Sequence, residues 1–278
     1  MKKIVIIGGG AAGYFTAINA KESNPDLEVT ILEKGKDVLQ KVKISGGGRC
    51  NVTHACFEPK ELVKFYPRGE KELLGPFHQF MTGDTFEWFD DRGVPLKIEG
   101  DNRVFPEANT SQAIIDCFQK SVDTLGIKVL TNHGVNTVTK QDDTWSIHTK
   151  EQVFEADQLV IAAGSSKKVW ELCETLDHAV VAPVPSLFTF NINDKRLVDL
   201  LGTSVPNATV TISGTKLEAS GPLLITHWGM SGPAVLKLSA FGARILADKN
   251  YQYNVEVNWL SRPTDKVLNE NDCETIYW

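Results

Sequence analysis

The chain has 278 residues, enough for two domains with cores of their own, and its 42% hydrophobic and 23% charged residues are ordinary for a soluble globular protein. Its 29 basic and 35 acidic residues leave a formal charge of −6, which argues against a nucleic-acid partner. No apolar stretch is long enough to span a membrane, and the short run before the first glycines is too brief for a signal-peptide core.

Ile4 to Ile7 is a run of β-branched residues without polar alternation, the pattern of a strand buried on both faces. Gly8, Gly10 and Gly13 then supply G-x-G-x-x-G, Ala11 to Lys21 reads as a helix, and Glu28 to Leu32 as a second strand ending at Glu33. The first glycine permits a tight turn, the second lets the backbone approach a pyrophosphate, and the third lets helix pack close on strand. Ala11 and Ala12 open the helix, where free N–H groups and the positive dipole end face the phosphates. A carboxylate at Glu33 can accept from a ribose hydroxyl, which points to FAD or NAD without separating them.

The next stretch, KGKDVLQKVKISGGGRCNVTH, is basic and rich in glycine. Lys34, Lys36 and Lys41 read as a solvated face, with Lys34 also counted on the cofactor side beside Glu33. Gly46, Gly47 and Gly48 allow backbone conformations closed to other residues, so successive N–H groups can line a ligand, with Arg49, Cys50 and Asn51 beside them. This second cradle favours FAD over NAD, since a dehydrogenase seldom needs one directly after the acidic strand end. Cys50, His54 and Cys56 lack the second half of a zinc site, so no metal is expected.

Aromatic residues recur from Phe57 to Phe89, with helices expected around Leu73 to Met81 and Thr85 to Asp91, the latter capped by Asp84 or Thr85. GDNRVFP, residues 100–106, is a turn leading to Arg103 and Phe105. Thr110 or Ser111 caps a helix from Gln112 to Leu125 with Ile114, Ile115, Phe118 and Val122 on one face. A strand starts at Val129 and continues through Val135 and Val138, and an antiparallel meander follows through Trp145 and Phe154. QLVIAAG then resumes the buried sheet and ends in the small residues Ala162, Ala163 and Gly164, over which a flat ligand can pass.

Pro183 and Pro185 mark a boundary. The organisation expected is an α/β, Rossmann-like FAD-binding domain with a parallel sheet and inserted meander (residues 1–185), then a β-rich second domain (residues 186–278). In the second, strands are expected at Leu187 to Ile192, Ala208 to Ser213, Leu223 to Thr226 and Tyr251 to Trp259. Gly229 to Gly232 is expected as a turn, with Pro233 opening one long helix that reaches Leu246. The cysteines (Cys50, Cys56, Cys117, Cys173 and Cys273) contain no C-x-x-C pair, so they read as reduced thiols of a cytoplasmic protein without a dithiol relay.

Taken together, GGGAAG with Glu33, KISGGGRCN, GDNRVFP, LVIAAG and LLITHWGMSGP resemble the BaiN-like (YhiN-like) family of FAD-dependent oxidoreductases, some of them known as aminoacetone oxidases. The resemblance runs from Met1 to about Leu260. It implies FAD held at Gly8, Gly10 and Gly13 by its pyrophosphate and at Glu33 by its adenosine ribose. Gly47, Gly48, Arg49, Cys50 and Asn51 would line the flavin side, Val135 would touch the adenine, and Ala162 to Gly164 would underlie the cofactor. Chains of that family continue with a further glycine-rich segment against the flavin. None follows Gly232 here, so the expectation is a chain that holds the adenosine half of FAD better than the flavin half.

The function expected is oxidation or reduction of a small molecule by FAD, with NAD(P)H or oxygen as redox partner and neither a nucleic acid nor a membrane as partner. No catalytic residue is named; Arg49, Arg103 and His227 are candidates for orienting a substrate. The alternatives are a tRNA-modifying flavoprotein and a non-catalytic nucleotide-binding remnant.

Overall fold

The computed structural model describes residues 1–260, which form two compact units, Met1–Val180 and the residues from Val181 on. The first unit is built on a four-stranded parallel sheet of β1 (Lys3–Ile7), β2 (Glu28–Leu32), β6 (Lys128–Leu130) and β10 (Gln158–Ile161), in the order β10-β1-β2-β6. Ile4 to Ile7 pair with Gln158 to Ile161 on one side and Val29 to Leu32 on the other. The central strand therefore buries both faces, as its unbroken apolar run requires. One correction concerns β10, expected to be fully buried. Among the described residues it is an edge strand, and Ile161 is 39% exposed.

Helix α1 (Ala11–Ser23) follows β1 and buries Gly13, Tyr14, Ala17 and Ile18 against the sheet. Helix α6 (Ser111–Thr124) packs beside it through Ile114, Ile115, Phe118 and Val122, the face read from the sequence. Thr110 caps α6, its hydroxyl accepting from the Gln112 N–H at 3.3 Å. Tyr14, Trp88 and Phe118 close this core, with ring centroids 5.9 Å apart for Tyr14 and Phe118 and 5.6 Å for Trp88 and Phe118.

Between β2 and α6 the chain forms α2 (Gln40–Gly48), β3 (Thr53–His54), α3 (Pro59–Leu62), α4 (Glu70–Phe77), α5 (Thr82–Asp90), β4 (Leu96–Ile98) and β5 (Arg103–Pro106). Strands β3, β5 and β4 make a small antiparallel sheet. Helix α5 starts three residues before the expected Thr85. Its N-cap is Met81, whose N–H donates to Asp84 at 2.7 Å, so Asp84 serves from inside the first turn.

Strands β7 (Thr137–Gln141), β8 (Thr144–His148) and β9 (Val153–Ala156) form the antiparallel meander, and α7 (Lys167–Glu174) follows β10. Val135 is not in a strand. The β6 strand stops at Leu130, and Val135 lies in the connection to β7, its side chain packed with Val5, Ile7 and Leu32.

The second unit is a five-stranded sheet in the order β11-β14-β13-β12-β15, made of β11 (Phe190–Asn191), β12 (Ser204–Ile212), β13 (Glu218–Thr226), β14 (Gly229–Ser231) and β15 (Val255–Asn258). Strands β11 and β15 are shorter than expected, and Gly229 to Ser231, expected as a turn, is paired strand. Gly229 fits there because it takes φ +143°, and a Cβ would come 2.3 Å from the Phe190 carbonyl oxygen. Helix α8 (Pro233–Phe241) opens on Pro233 and buries Ala234, Val235 and Leu238. The long helix expected here is broken at Gly242, beyond which α9 (Ala243–Asp248) begins.

Candidate functional site

The C-terminal ends of β1, β2 and β10 gather most of the residues singled out above. Gly8 takes φ +117°, its N–H donates to the Leu32 carbonyl at 2.9 Å, and a Cβ on it would lie 2.5 Å from the Ala162 oxygen. Gly13 has even less room: a Cβ would stand 2.0 Å from the Gly8 carbonyl oxygen. These two glycines are demanded by packing of the turn on β10 and on α1. Gly10 differs, because a Cβ there would meet nothing within 4 Å. The helix N-terminus behind it carries no side-chain cap, and Ala11 and Ala12 are exposed. An uncapped helix start above open space is what a phosphate-binding turn requires.

Glu33 braces that turn. Its Oε2 accepts from the Gly9 N–H at 2.8 Å and its Oε1 from the Gly35 N–H at 2.7 Å. Each carboxylate oxygen has a further lone pair, so the side chain can still accept from a ribose hydroxyl. The β6–β7 connection is sewn to the same corner: His133 N–H donates to the Glu33 carbonyl (2.8 Å) and Asn132 N–H to the Gly35 carbonyl (2.9 Å). The Val135 side chain is buried in the core, so only its backbone can face a ligand here. The Lys34 side chain is exposed beside Gly134.

Helix α2 starts against the turn, since the Leu39 N–H donates to the Gly9 carbonyl at 2.8 Å. Its helical course ends at Ser45. Gly46, Gly47 and Gly48 then take φ of +55°, +69° and +86°, and Cys50 takes +62°. Gly46 is packed, with a Cβ falling 2.7 Å from the Asn51 nitrogen and 2.8 Å from the Phe105 ring. Gly47 and Gly48 face open space within 4 Å. Asn51, in the orientation that satisfies its amide, donates to the carbonyls of Thr53 (3.0 Å) and Val104 (3.3 Å), fixing the chain just after the glycines.

Arg49 is engaged within the protein. Its Nη1 donates to Glu99 Oε1 at 2.6 Å and to Asn109 Oδ1 at 3.2 Å, and its guanidinium stacks 3.9 Å from the centre of the fully buried Phe105 ring. It holds the glycine loop against the β4–β5 hairpin. Arg103 pairs with Asp101 at 2.6 Å and reaches Glu99 at 3.7 Å. Burial pushes the Cys50 thiol up, opposed by the Ser45 hydroxyl, so it stays protonated and unreactive near neutrality. His227 lies in the second unit, against the Trp228 ring. Among the described residues no group of three or more His, Cys, Asp or Glu side chains is placed to hold a metal.

Two partners escaped the sequence reading. Lys41, read as a solvated charge, donates to Ser165 Oγ at 2.7 Å, and Glu99 holds Arg49 across 50 residues. No local pattern announces either pair.

The residues fit a dinucleotide: an open glycine turn, an acidic brace at the β2 end, and a second glycine loop with left-handed backbone and free space. Residues 2–239 match the HI0933-like protein Rossmann domain. The chain belongs to that family. It is a family of FAD-binding oxidoreductases, and its cofactor is FAD. The chain is 26% identical over 270 residues to the 3-dehydro-bile acid delta(4,6)-reductase of Clostridium scindens, covering 94% of this chain and 65% of that protein. It is 28% identical over 283 residues to the ribosomal RNA dihydrouridine synthase of Haemophilus influenzae, covering 95% and 69%. The chain thus spans about two thirds of the length of the curated relatives it matches. Among solved structures, the THI4 protein of Thermovibrio ammonificans overlaps 63% of this chain and 62% of its own at 12% identity and a TM-score of 0.43.

Proposed function

We propose that this chain is the FAD-binding portion of an oxidoreductase that adds hydride to a carbon–carbon double bond conjugated with a carbonyl group. The observation that carries the cofactor side is the pairing of an open Gly10 turn with an open Gly47–Gly48 loop, joined through the Leu39–Gly9 hydrogen bond. The substrate class comes from chemistry common to two relatives' names. A 3-oxo steroid with double bonds at positions 4 and 6 and the uracil ring of uridine both present an alkene conjugated with a carbonyl.

FAD, when bound, supplies the hydride transfer. The chain's residues bind and orient it. Gly8 and Gly13 shape the turn, Gly10 and the start of α1 receive the diphosphate, and Glu33 accepts from the ribose while holding Gly9. Gly47 and Gly48 leave room for the flavin ring, and the Arg49–Glu99 pair fixes that loop. A nicotinamide dinucleotide is the reductant we favour. Anaerobic mixing of the FAD-loaded protein with NADH and NADPH tests this. Bleaching of the flavin band by one of them is expected, and no bleaching by either would remove the reductase reading and leave an oxidase, with oxygen as electron acceptor.

A ribosomal-RNA substrate is the second reading, favoured by the name of the Haemophilus influenzae relative. The formal charge of −6 weighs against it and for a free small molecule. Salt-sensitive RNA binding in a gel shift would reverse that preference. Cys50, Cys56, Cys117 and Cys173 are unpaired, which supports a reducing, cytoplasmic setting; Cys273 lies outside the described residues. No helix among the described residues is long and apolar enough to cross a membrane.

A further inference from the structure

The strand order β10-β1-β2-β6 places a switch point beside β1. From β1 the chain runs outward to β2 and β6 on one side, then returns to the other side for β10. In open α/β sheets a ligand sits in the crevice outside the strand ends at such a point. One side-chain hydrogen bond spans that crevice, from Lys41 Nζ to Ser165 Oγ at 2.7 Å, joining residues 124 positions apart.

Both ends of this bond are fixed to the glycine turn. Lys41 stands two residues after Leu39, whose N–H donates to the Gly9 carbonyl at 2.8 Å. Ser165 follows Ala162 to Gly164. There the Ala162 N–H donates to Ile7 at 2.8 Å, and the Ala162 carbonyl packs against Gly8. A Cβ on Gly164 would lie 3.8 Å from the Lys41 ammonium. The turn itself, Gly8 to Gly13, has no charged side chain, so a dianionic diphosphate would find there only backbone N–H groups and the helix dipole. Among the described residues the partner of Lys41 is a neutral hydroxyl, and no ion pair compensates its charge there.

We propose that Lys41 is the cation that binds the diphosphate of FAD, with Ser165 holding its ammonium across the crevice until phosphate oxygens replace the hydroxyl. This rests on the FAD reading above. An ammonium serves as a point charge, so arginine should substitute in part, whereas an uncharged side chain of similar length should not.

The test is calorimetric titration of ADP, adenosine and FAD into the wild-type chain and into Lys41→Met, Lys41→Arg and Lys36→Met. Lys41 is exposed, so all four proteins should melt alike. Lys41→Met should weaken ADP and FAD by roughly ten- to hundredfold while leaving adenosine unchanged. Lys41→Arg should recover most of the loss, and Lys36→Met should stay within about twofold, as expected of an exposed, solvated charge. Unchanged ADP affinity in Lys41→Met, or an equal loss in Lys36→Met, would overturn the assignment to Lys41 and leave the FAD reading standing. A wild-type chain that takes up neither ADP nor FAD would overturn both.

Discussion

The Glu33 carboxylate accepts from the Gly9 N–H at 2.8 Å, so the acidic end of β2 and the glycine turn after β1 form one rigid corner. Its second oxygen accepts from Gly35 at 2.7 Å. Glu33 thus has a structural task as well as the one at the ribose. Glu33→Ala should destabilise the first unit by about 1–3 kcal/mol, because the buried Gly9 N–H loses its acceptor. Glu33→Gln keeps an oxygen for one of the two N–H groups and should fall between. Glu33→Arg should also weaken FAD by roughly 1–3 kcal/mol through an unpaired ribose hydroxyl. Chemical denaturation together with FAD titration separates the two effects; equal stability and affinity in all variants would remove Glu33 from both roles.

The glycines of the turn should divide into two kinds. Gly13→Ala places a methyl 2.0 Å from the Gly8 carbonyl oxygen, and backbone on both sides cannot retreat. The expected cost is roughly 3 kcal/mol or more, read as a large drop in the denaturation midpoint. Gly8→Ala should behave likewise, from its φ of +117° and a contact at 2.5 Å.

Arg49 and Glu99 should be coupled. Their side chains are 29% and 27% exposed, and the pair is backed by the Phe105 ring. A double-mutant cycle with Arg49→Met and Glu99→Gln should give an interaction of about 1–2 kcal/mol. Additive losses would show that the pair does not hold the glycine loop.

Alkaline pH should loosen the first unit through Tyr14. Burial pushes the Tyr14 hydroxyl from 10.0 up to about 12, aided by Asp123 and Glu33. The folded chain therefore holds this proton more tightly than the unfolded one. Stability is intact below pH 10 and falls as pH rises from 10 towards 12, by up to about 2–3 kcal/mol for this group. Tyr253, also raised to about 12 by burial, should act the same way in the second unit. Tyr14→Phe should flatten the decline in the first unit, measured as melting temperature against pH.

Local pattern made the nucleotide-binding half legible. β1, the glycine turn, α1, β2 and Glu33 are contiguous; Gly13 has its steric reason within that stretch, Gly8 has its own against Ala162, and Gly10 faces open space. The α6 face was readable because Ile114, Ile115, Phe118 and Val122 recur at helical spacing. What escaped depends on pairing between distant segments. Among the described residues β10 pairs with β1 alone and Ile161 is exposed, which its own composition does not announce. The apolar run after Pro233 hid a break at Gly242, where a Cβ would meet the Leu217 side chain at 2.7 Å, a contact supplied by a different strand connection. Nothing near Arg49 in the sequence announces its contacts with Glu99 and Phe105, which lie 50 and more positions away.

The central claim is that the crevice at the Gly8–Gly13 turn takes FAD. The most direct measurement compares FAD binding by calorimetry to the wild-type chain and to Gly10→Val, with melting curves for both. Nothing lies within 4 Å of a Cβ at Gly10, so this variant should fold and melt like the wild type. Its side chain would fill the space meant for the diphosphate, and FAD affinity should fall at least about tenfold, a loss of roughly 1.4 kcal/mol or more. Equal FAD affinity in the two proteins at equal stability, or no FAD binding by either, would contradict the account.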